Sequence, residues 1–76
     1  MINVEQIYVA LLNEGVEVWR PVQAERLTGN TYRIANQPYD RSIETWQFEP
    51  GDTVLCEMVE TINGPLLAAT RKAAQS

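Results

Sequence analysis

The stretch TVLCEMVETINGPLLAAT, from Thr53 to Thr70, decides the fold because it reads as a complete β-hairpin. Its first part, TVLCEMVETI, is the longest run of strand-forming residues in the chain. The Asn63-Gly64 dipeptide that follows is the strongest short-range signal for a hairpin turn. PLLAAT then returns as a second strand, and Pro65 must begin it at a sheet edge because proline donates no hydrogen bond.

The upstream sequence repeats this pattern of a short strand followed by turn residues, without helical periodicity. Strands are predicted at QIYVALL, GVEVWRPVQAERL, TYRIA and IETWQFE, and the polar segment 36–42 is predicted as an irregular loop. Five or six short strands in one chain of 76 residues indicate an all-β fold. We expect a small antiparallel SH3-like barrel, since closure removes exposed sheet edges. Residues 1–70 should form this single domain, and residues 71–76 should be a frayed tail.

Three segments carry a resemblance to known proteins: IYVALLNEGVEVWRPVQAE, YRI and WQFEPGDTVLCE. Together they resemble a group of small bacterial proteins of unknown function that occur as stand-alone open reading frames, some of them on integron gene cassettes. The resemblance extends from about Ile7 to Ala69, and its motifs are structural. It therefore implies the SH3-like fold and transfers no activity, cofactor or functional residue.

The composition restricts how so short a chain is stabilised and what it binds. A single cysteine and the absence of histidine exclude an internal disulfide and a zinc site of the usual kind. Self-association is therefore the remaining way to stabilise so short a chain. Residues 1–70 carry ten acidic residues against four arginines, a balance that repels nucleic acid. The N-terminus lacks the basic region of a secretory signal, and the apolar run 7–12 is too short to cross a membrane. We therefore expect a cytoplasmic protein that is not bound to membranes.

The sequence contains no recognisable arrangement of catalytic residues. Cys56 has no histidine to generate a thiolate, and it shares a strand face with Val54 and Met58, so we expect it to be buried and inert. The carboxylates between residues 44 and 60 fall on different strand faces or in turns, which disfavours a paired-carboxylate hydrolase. A glycine-rich phosphate loop is also missing. The sequence predicts a protein that is not an enzyme and uses no cofactor or metal.

Two of the predicted strands are apolar on both faces. In IYVALL, Tyr8 lies on the face opposite Ile7 and Val9, and in TVLCEMVETI, Leu55 lies on the face opposite Cys56. A sheet with one solvated face would alternate apolar with polar residues, so the second face needs a cover, most economically another copy of the chain. Alternatively, strong bending of the strands partly buries both faces.

The stretch GVEVWRPVQAE, Gly15 to Glu25, contains a conflict in its alternation. If Val22 faces the core, a regular strand turns Arg20 towards the core as well and Trp19 away from it. A β-bulge at Arg20-Pro21 would turn Arg20 outward, because proline within a strand marks an edge or a bulge. We accordingly predict a bulge here and place Trp19 at the boundary between the core and a subunit interface.

These observations predict a non-enzymatic binding or adaptor module that self-associates and also contacts an unknown protein partner. A nucleic-acid-associated regulator is one alternative, and the other is a small-molecule sensor with Trp19 and Trp46 lining a pocket at the barrel mouth. For Tyr39 a structural role, closing one end of the barrel, is equally compatible with the sequence. The candidate binding and interface residues are Tyr8, Trp19, Arg20, Tyr39, Arg41 and Leu55.

Overall fold

The computed structural model describes residues 4–73, which contain six β-strands and no helix. The strands are β1 (Val4–Leu12), β2 (Trp19–Thr28), β3 (Thr31–Ile34), β4 (Thr45–Trp46), β5 (Thr53–Thr61) and β6 (Gly64–Lys72). Strands account for 61% of the described residues, so the predicted all-β class is confirmed. The predicted β5–β6 hairpin is present, but its turn is at residues 62–63, one position before the predicted Asn63-Gly64, and Gly64 already belongs to β6.

The six strands form one sheet that closes into a ring. Leaving aside the two-residue β4, the order around the ring is β1-β2-β3-β5-β6, and β6 returns to pair with β1. The four pairs from β1 to β6 in this order are antiparallel, so the first and fifth strands point the same way. The closing pair is consequently parallel, with Tyr8 opposite Ala68. The prediction of a wholly antiparallel sheet is wrong at this one pair, for this geometric reason.

The core fills the interior of the ring with alternate residues from each strand. Ile7 and Val9 of β1, Val22 and Ala24 of β2, and Cys56 of β5 are almost completely buried. Within residues 4–73 no charged or polar side chain is classed as buried. The outer positions of the same strands, such as Tyr8 and Leu55 in the predicted two-sided strands, are half-buried rather than fully exposed.

Two predicted strands are shorter in the structure than in the sequence pattern. The segment Gly15–Val18 lies outside β2, and the Val16 side chain is 73% exposed, although its alternation with Val18 is typical of a strand. The predicted strand Ile43–Glu49 contracts to Thr45–Trp46, which pairs with Leu11 and Leu12 at the end of β1. β6 continues to Lys72, past the expected domain end at residue 70, and residues 74–76 of the predicted tail lie outside the described residues.

The predicted bulge at Arg20-Pro21 is wrong. The register between β1 and β2 runs unbroken from Val4 opposite Glu25 to Ala10 opposite Trp19. Arg20 is an inward position by parity, but it lies at the end of the strand, and its side chain remains 52% exposed. The β2–β3 register instead shifts between Arg26 and Thr28, next to the hairpin turn.

Candidate functional site

The side chain of Trp19 lines a groove of about 350 Å³ on the outside of the ring. The groove lies between the start of β2 and the tip of the β5–β6 hairpin. Tyr8 and Leu66 supply apolar walls from β1 and β6, and Ile62 projects from the hairpin tip with 95% of its surface exposed. We call this surface the Trp19 groove; it comprises Tyr8, Glu17, Val18, Trp19, Thr61, Ile62, Asn63 and Leu66.

The backbone of β2 turns Trp19 outward. Val22 and Ala24 face the core, so the odd-numbered positions Trp19 and Pro21 face away from it, on the same side as Tyr8 of the paired strand. An unbroken strand therefore explains why Trp19 faces outward, and no bulge is needed. The residue is half-buried, since neighbouring side chains of the groove cover part of the indole.

The indole N–H of Trp19 is the one side-chain polar group of residues 4–73 that is shielded from solvent and lacks a hydrogen-bond partner in this part of the chain. Leaving a shielded donor unpaired costs on the order of 1–3 kcal/mol, because the donor has lost water and gained nothing. Tyr8, by comparison, is satisfied at its hydroxyl oxygen, which accepts a hydrogen bond of 3.1 Å from the Gln6 Nε2 amide. The groove therefore offers apolar walls and one unused donor.

A second group of aromatic residues lies where the polar loop 36–44 meets β4. The Tyr39 and Trp46 rings are stacked with their centroids 4.3 Å apart, and the Arg41 guanidinium lies 4.4 Å above the Tyr39 ring. The backbone N–H of Trp46 donates to the Tyr39 hydroxyl at 2.6 Å. We call Tyr39, Arg41, Glu44 and Trp46 the aromatic cluster.

Acidic side chains neutralise the arginines beside the aromatic cluster. Glu44 Oε1 accepts a hydrogen bond of 2.7 Å from the Trp46 indole N–H and lies 3.3 Å from Arg20 Nε. Arg41 pairs with Glu49 at 3.3 Å. Because Trp46 and Tyr39 pack against the core, this cluster closes one end of the ring, in line with the structural role that the sequence allows for Tyr39.

The structure divides the six predicted binding residues among three places. Tyr8 and Trp19 come together in the Trp19 groove, whereas Arg20, Tyr39 and Arg41 belong to the aromatic cluster or pair with it. Leu55 stands apart in β5, half-buried and opposite Thr31 of β3 and Arg71 of β6. Sequence reasoning missed Ile62 and Leu66 in the groove. Their position depends on how the hairpin leans against β1 and β2, which no local pattern encodes.

Trp46 does not share a pocket with Trp19. It is 4% exposed and belongs to the core, and it does not line the Trp19 groove. Another cleft of about 400 Å³ lies beside Ile34 and Pro50, where Arg33 pairs with Glu25 at 2.8 Å. The unpaired indole N–H of Trp19 distinguishes the Trp19 groove from this second cleft.

The Cys56 thiol is poorly suited to chemistry in this fold. It is 1% exposed in the core, and burial raises its pKa to about 11, so the nucleophilic thiolate is scarce at neutral pH. Within the described residues, no three His, Cys, Asp or Glu side chains are grouped so as to hold a metal ion. The described part of the chain also contains no helix long and apolar enough to cross a membrane.

Comparison with known proteins adds no relative to this picture. No family model matches the chain, and neither a curated protein nor a solved structure matches it.

Proposed function

We propose that this chain is a non-enzymatic binding module, a small SH3-like barrel that self-associates and holds a segment of a partner polypeptide in the Trp19 groove. One observation carries the proposal: the Trp19 indole N–H is shielded from solvent and finds no acceptor within residues 4–73. Side chains of the groove cover this donor, so a bound polypeptide that displaces one of them supplies the acceptor through a backbone carbonyl. Binding would then recover the free energy lost on shielding the donor.

The rest of the groove supports a polypeptide as the ligand. Aromatic and aliphatic side chains around a central donor are typical of the residues that dominate protein interfaces, where Trp and Tyr combine a large apolar area with a polar tip. Tyr8 and Leu66 provide that area, and Glu17 supplies a negative charge at the border of the groove. We therefore expect the bound segment to carry an apolar residue beside a basic one.

The barrel assignment is supported by the order of the strands. Five strands close on themselves around one core, and the Cα radius of gyration is 12.1 Å. A domain this small buries only about 60–65% of the surface that its unfolded chain exposes, so its stability benefits from further cover. The half-buried outer residues Tyr8 and Leu55, together with the exposed Met58, are surface that a second copy can cover.

Peptide selection on the intact protein tests the binding half of the proposal. A phage-displayed library of linear peptides is selected on the wild-type chain and then measured against Trp19→Phe, which keeps the apolar ring and removes the donor. We expect selected peptides to bind the variant roughly five- to tenfold more weakly, the loss of about one hydrogen bond. Trp46→Phe at the second indole is the matched control for the loss of tryptophan.

Selected peptides that bind the wild type and Trp19→Phe equally well would contradict the proposal. A library that yields no binder above the level of an unrelated acidic domain would do the same. The nucleic-acid alternative is tested in parallel with a single-stranded oligonucleotide at about 50 mM salt, a condition that favours electrostatic binding. We expect no binding, because Arg20 and Arg41 are already paired with Glu44 and Glu49.

A further inference from the structure

The outer edge of β5 is only partly used by the sheet. β3 pairs with Thr53–Leu55, and the Cys56 N–H donates to the Asn30 carbonyl at 2.9 Å. Beyond Cys56 the β2–β3 hairpin ends, and no strand of residues 4–73 pairs with this side of Glu57–Thr61. We call this side of Glu57–Thr61 the open edge. It leaves backbone donors and acceptors available to another strand.

The alternation of the backbone identifies which groups face the open edge. Asp52 and Cys56 direct backbone groups towards β3, whereas the Thr53 carbonyl accepts from Ala73 on the β6 side. Even-numbered residues of β5 therefore face away from β6. By this parity the N–H and C=O groups of Met58 and Glu60 point out of the open edge.

We propose that a second copy of the chain adds to this edge, pairing β5 antiparallel with β5 of its partner about a two-fold axis at Val59. The inference rests on the proposed self-association and names its surface. A strand can pair symmetrically with itself only where the axis passes through a residue position, so few registers exist. Each of them can be judged from the residues that it brings opposite one another.

The register centred on Val59 uses every free group. Met58 lies opposite Glu60 of the other copy, and each such pair exchanges two hydrogen bonds, which gives four across the axis. Centring on Glu60 would set two glutamates directly opposite each other, and centring on Glu57 would do the same. Centring on Met58 would need the Cys56 N–H, which already donates to Asn30.

The side chains along the open edge fit a second copy. Met58 is 64% exposed although it has inward parity, because this part of the hairpin extends past the closed part of the ring. In the paired arrangement the apolar stem of the facing glutamate lies against it. Glu57 lies opposite Thr61 of the other copy, so no direct like-charge pair forms.

Glu60→Pro tests the edge without touching the hairpin. Proline removes the N–H that faces outward and leaves the bonds to β6 in place, and an edge position tolerates it. We expect the dimer to dissociate roughly thirtyfold more readily, since one hydrogen bond is lost per copy. Glu60→Gln keeps the N–H and serves as the matched control, with dimerisation unchanged or tighter. Sedimentation equilibrium measures all three proteins, and circular dichroism verifies the fold.

Val59→Cys tests the register independently of any loss of folding in the proline variant. Opposed residues of a non-hydrogen-bonded antiparallel pair have Cα atoms about 4.5 Å apart, within the span of a disulfide. We expect this variant to form a disulfide-linked dimer on mild oxidation. Glu57→Cys is the control, because its two copies would lie about 13 Å apart in this register, and the wild type controls for the buried Cys56.

The outcomes separate the two proposals. A wild-type dimer that is unchanged by Glu60→Pro, or a Val59→Cys variant that does not cross-link, overturns the open-edge dimer and leaves self-association standing through another surface. A wild type that is monomeric at high micromolar concentration overturns both. A cross-linked Val59→Cys dimer with an uncross-linked Glu57→Cys control supports the edge and its register.

Discussion

The aromatic cluster and the β5–β6 hairpin differ in how far their polar groups are satisfied. In the cluster, Glu44 accepts a hydrogen bond from the Trp46 indole N–H, and the Tyr39 hydroxyl accepts one from the Trp46 backbone N–H. Arg41 lies over the Tyr39 ring and forms an ion pair with Glu49. Around the hairpin, the Trp19 indole has no acceptor within residues 4–73, and β5 has no neighbour beyond Cys56 on its outer side in the same range.

This difference separates stability from recognition within one small domain. A region whose donors and acceptors are already paired gains little from a partner, because binding would first have to break those contacts. A region with unpaired groups gains hydrogen bonds on binding without breaking existing ones, although the Trp19 indole N–H must first be uncovered. Aromatic content alone would rank the Trp19 groove and the aromatic cluster equally, and the arginines would favour the cluster.

Trp46→Ala gives the largest effect and tests whether the cluster belongs to the core. Trp46 is 4% exposed, so truncation should lower the free energy of unfolding by about 3–5 kcal/mol. Urea denaturation followed by circular dichroism measures the change. Trp19→Phe in the groove is the control and should leave the unfolding free energy unchanged or raise it, because it removes the shielded, unpaired donor. If Trp46→Ala lowered the free energy of unfolding no more than Trp19→Phe does, the result would contradict the assignment of the aromatic cluster to the core.

Glu44→Ala gives an intermediate effect and separates the two partners of this carboxylate. The variant leaves the largely buried Trp46 indole N–H unpaired, which should cost about 1–3 kcal/mol of unfolding free energy. Arg20→Ala removes only the ion pair, whose arginine is half exposed, so it should cost about 0–1 kcal/mol. Equal costs in urea denaturation would mean that the ion pair, not the indole contact, holds the cluster.

Ser42→Ala gives the smallest effect, within the loop that carries the cluster. The Ser42 hydroxyl and backbone N–H donate to Asp40 Oδ1, and these bonds lower the pKa of the Asp40 carboxyl below its usual value. The stability contributed by this carboxylate is present above its unfolded-state pKa and is lost as the pH falls through the lowered value. We expect Ser42→Ala to raise the pKa of Asp40, measured by NMR titration. An unchanged pKa would show that the hydroxyl bond contributes nothing.

The sequence predicted the elements that depend on local signals. The β5–β6 hairpin and the burial of Cys56 follow from turn chemistry and a two-residue period. The strand predicted at Ile43–Glu49 failed because side-chain hydrogen bonds with the preceding loop decide it, and a two-residue period does not encode them. The Asp40 carboxylate holds a turn at Ser42, and the Tyr39 hydroxyl takes the Trp46 N–H that a longer ladder would use.

The candidate site was predictable only in part, because contacts between residues distant in sequence decide it. Parity alone places Trp19 on the outer face with Tyr8, and the bulge was predicted only because the same parity turns Arg20 towards the core. Its partner Glu44 lies 24 positions away in sequence, a contact that no local pattern shows. The unpaired edge of β5 was equally hidden, since it depends on where the β2–β3 hairpin stops.

The mass of the wild-type protein in solution tests the central claim most directly. Light scattering behind size-exclusion chromatography, at concentrations up to the high micromolar range, should give twice the 8.6 kDa mass of one chain. Such a result supports a module that covers its open side with a second copy. A mass of 8.6 kDa throughout that range would contradict self-association, and the open edge of β5 would then have no partner of its own kind.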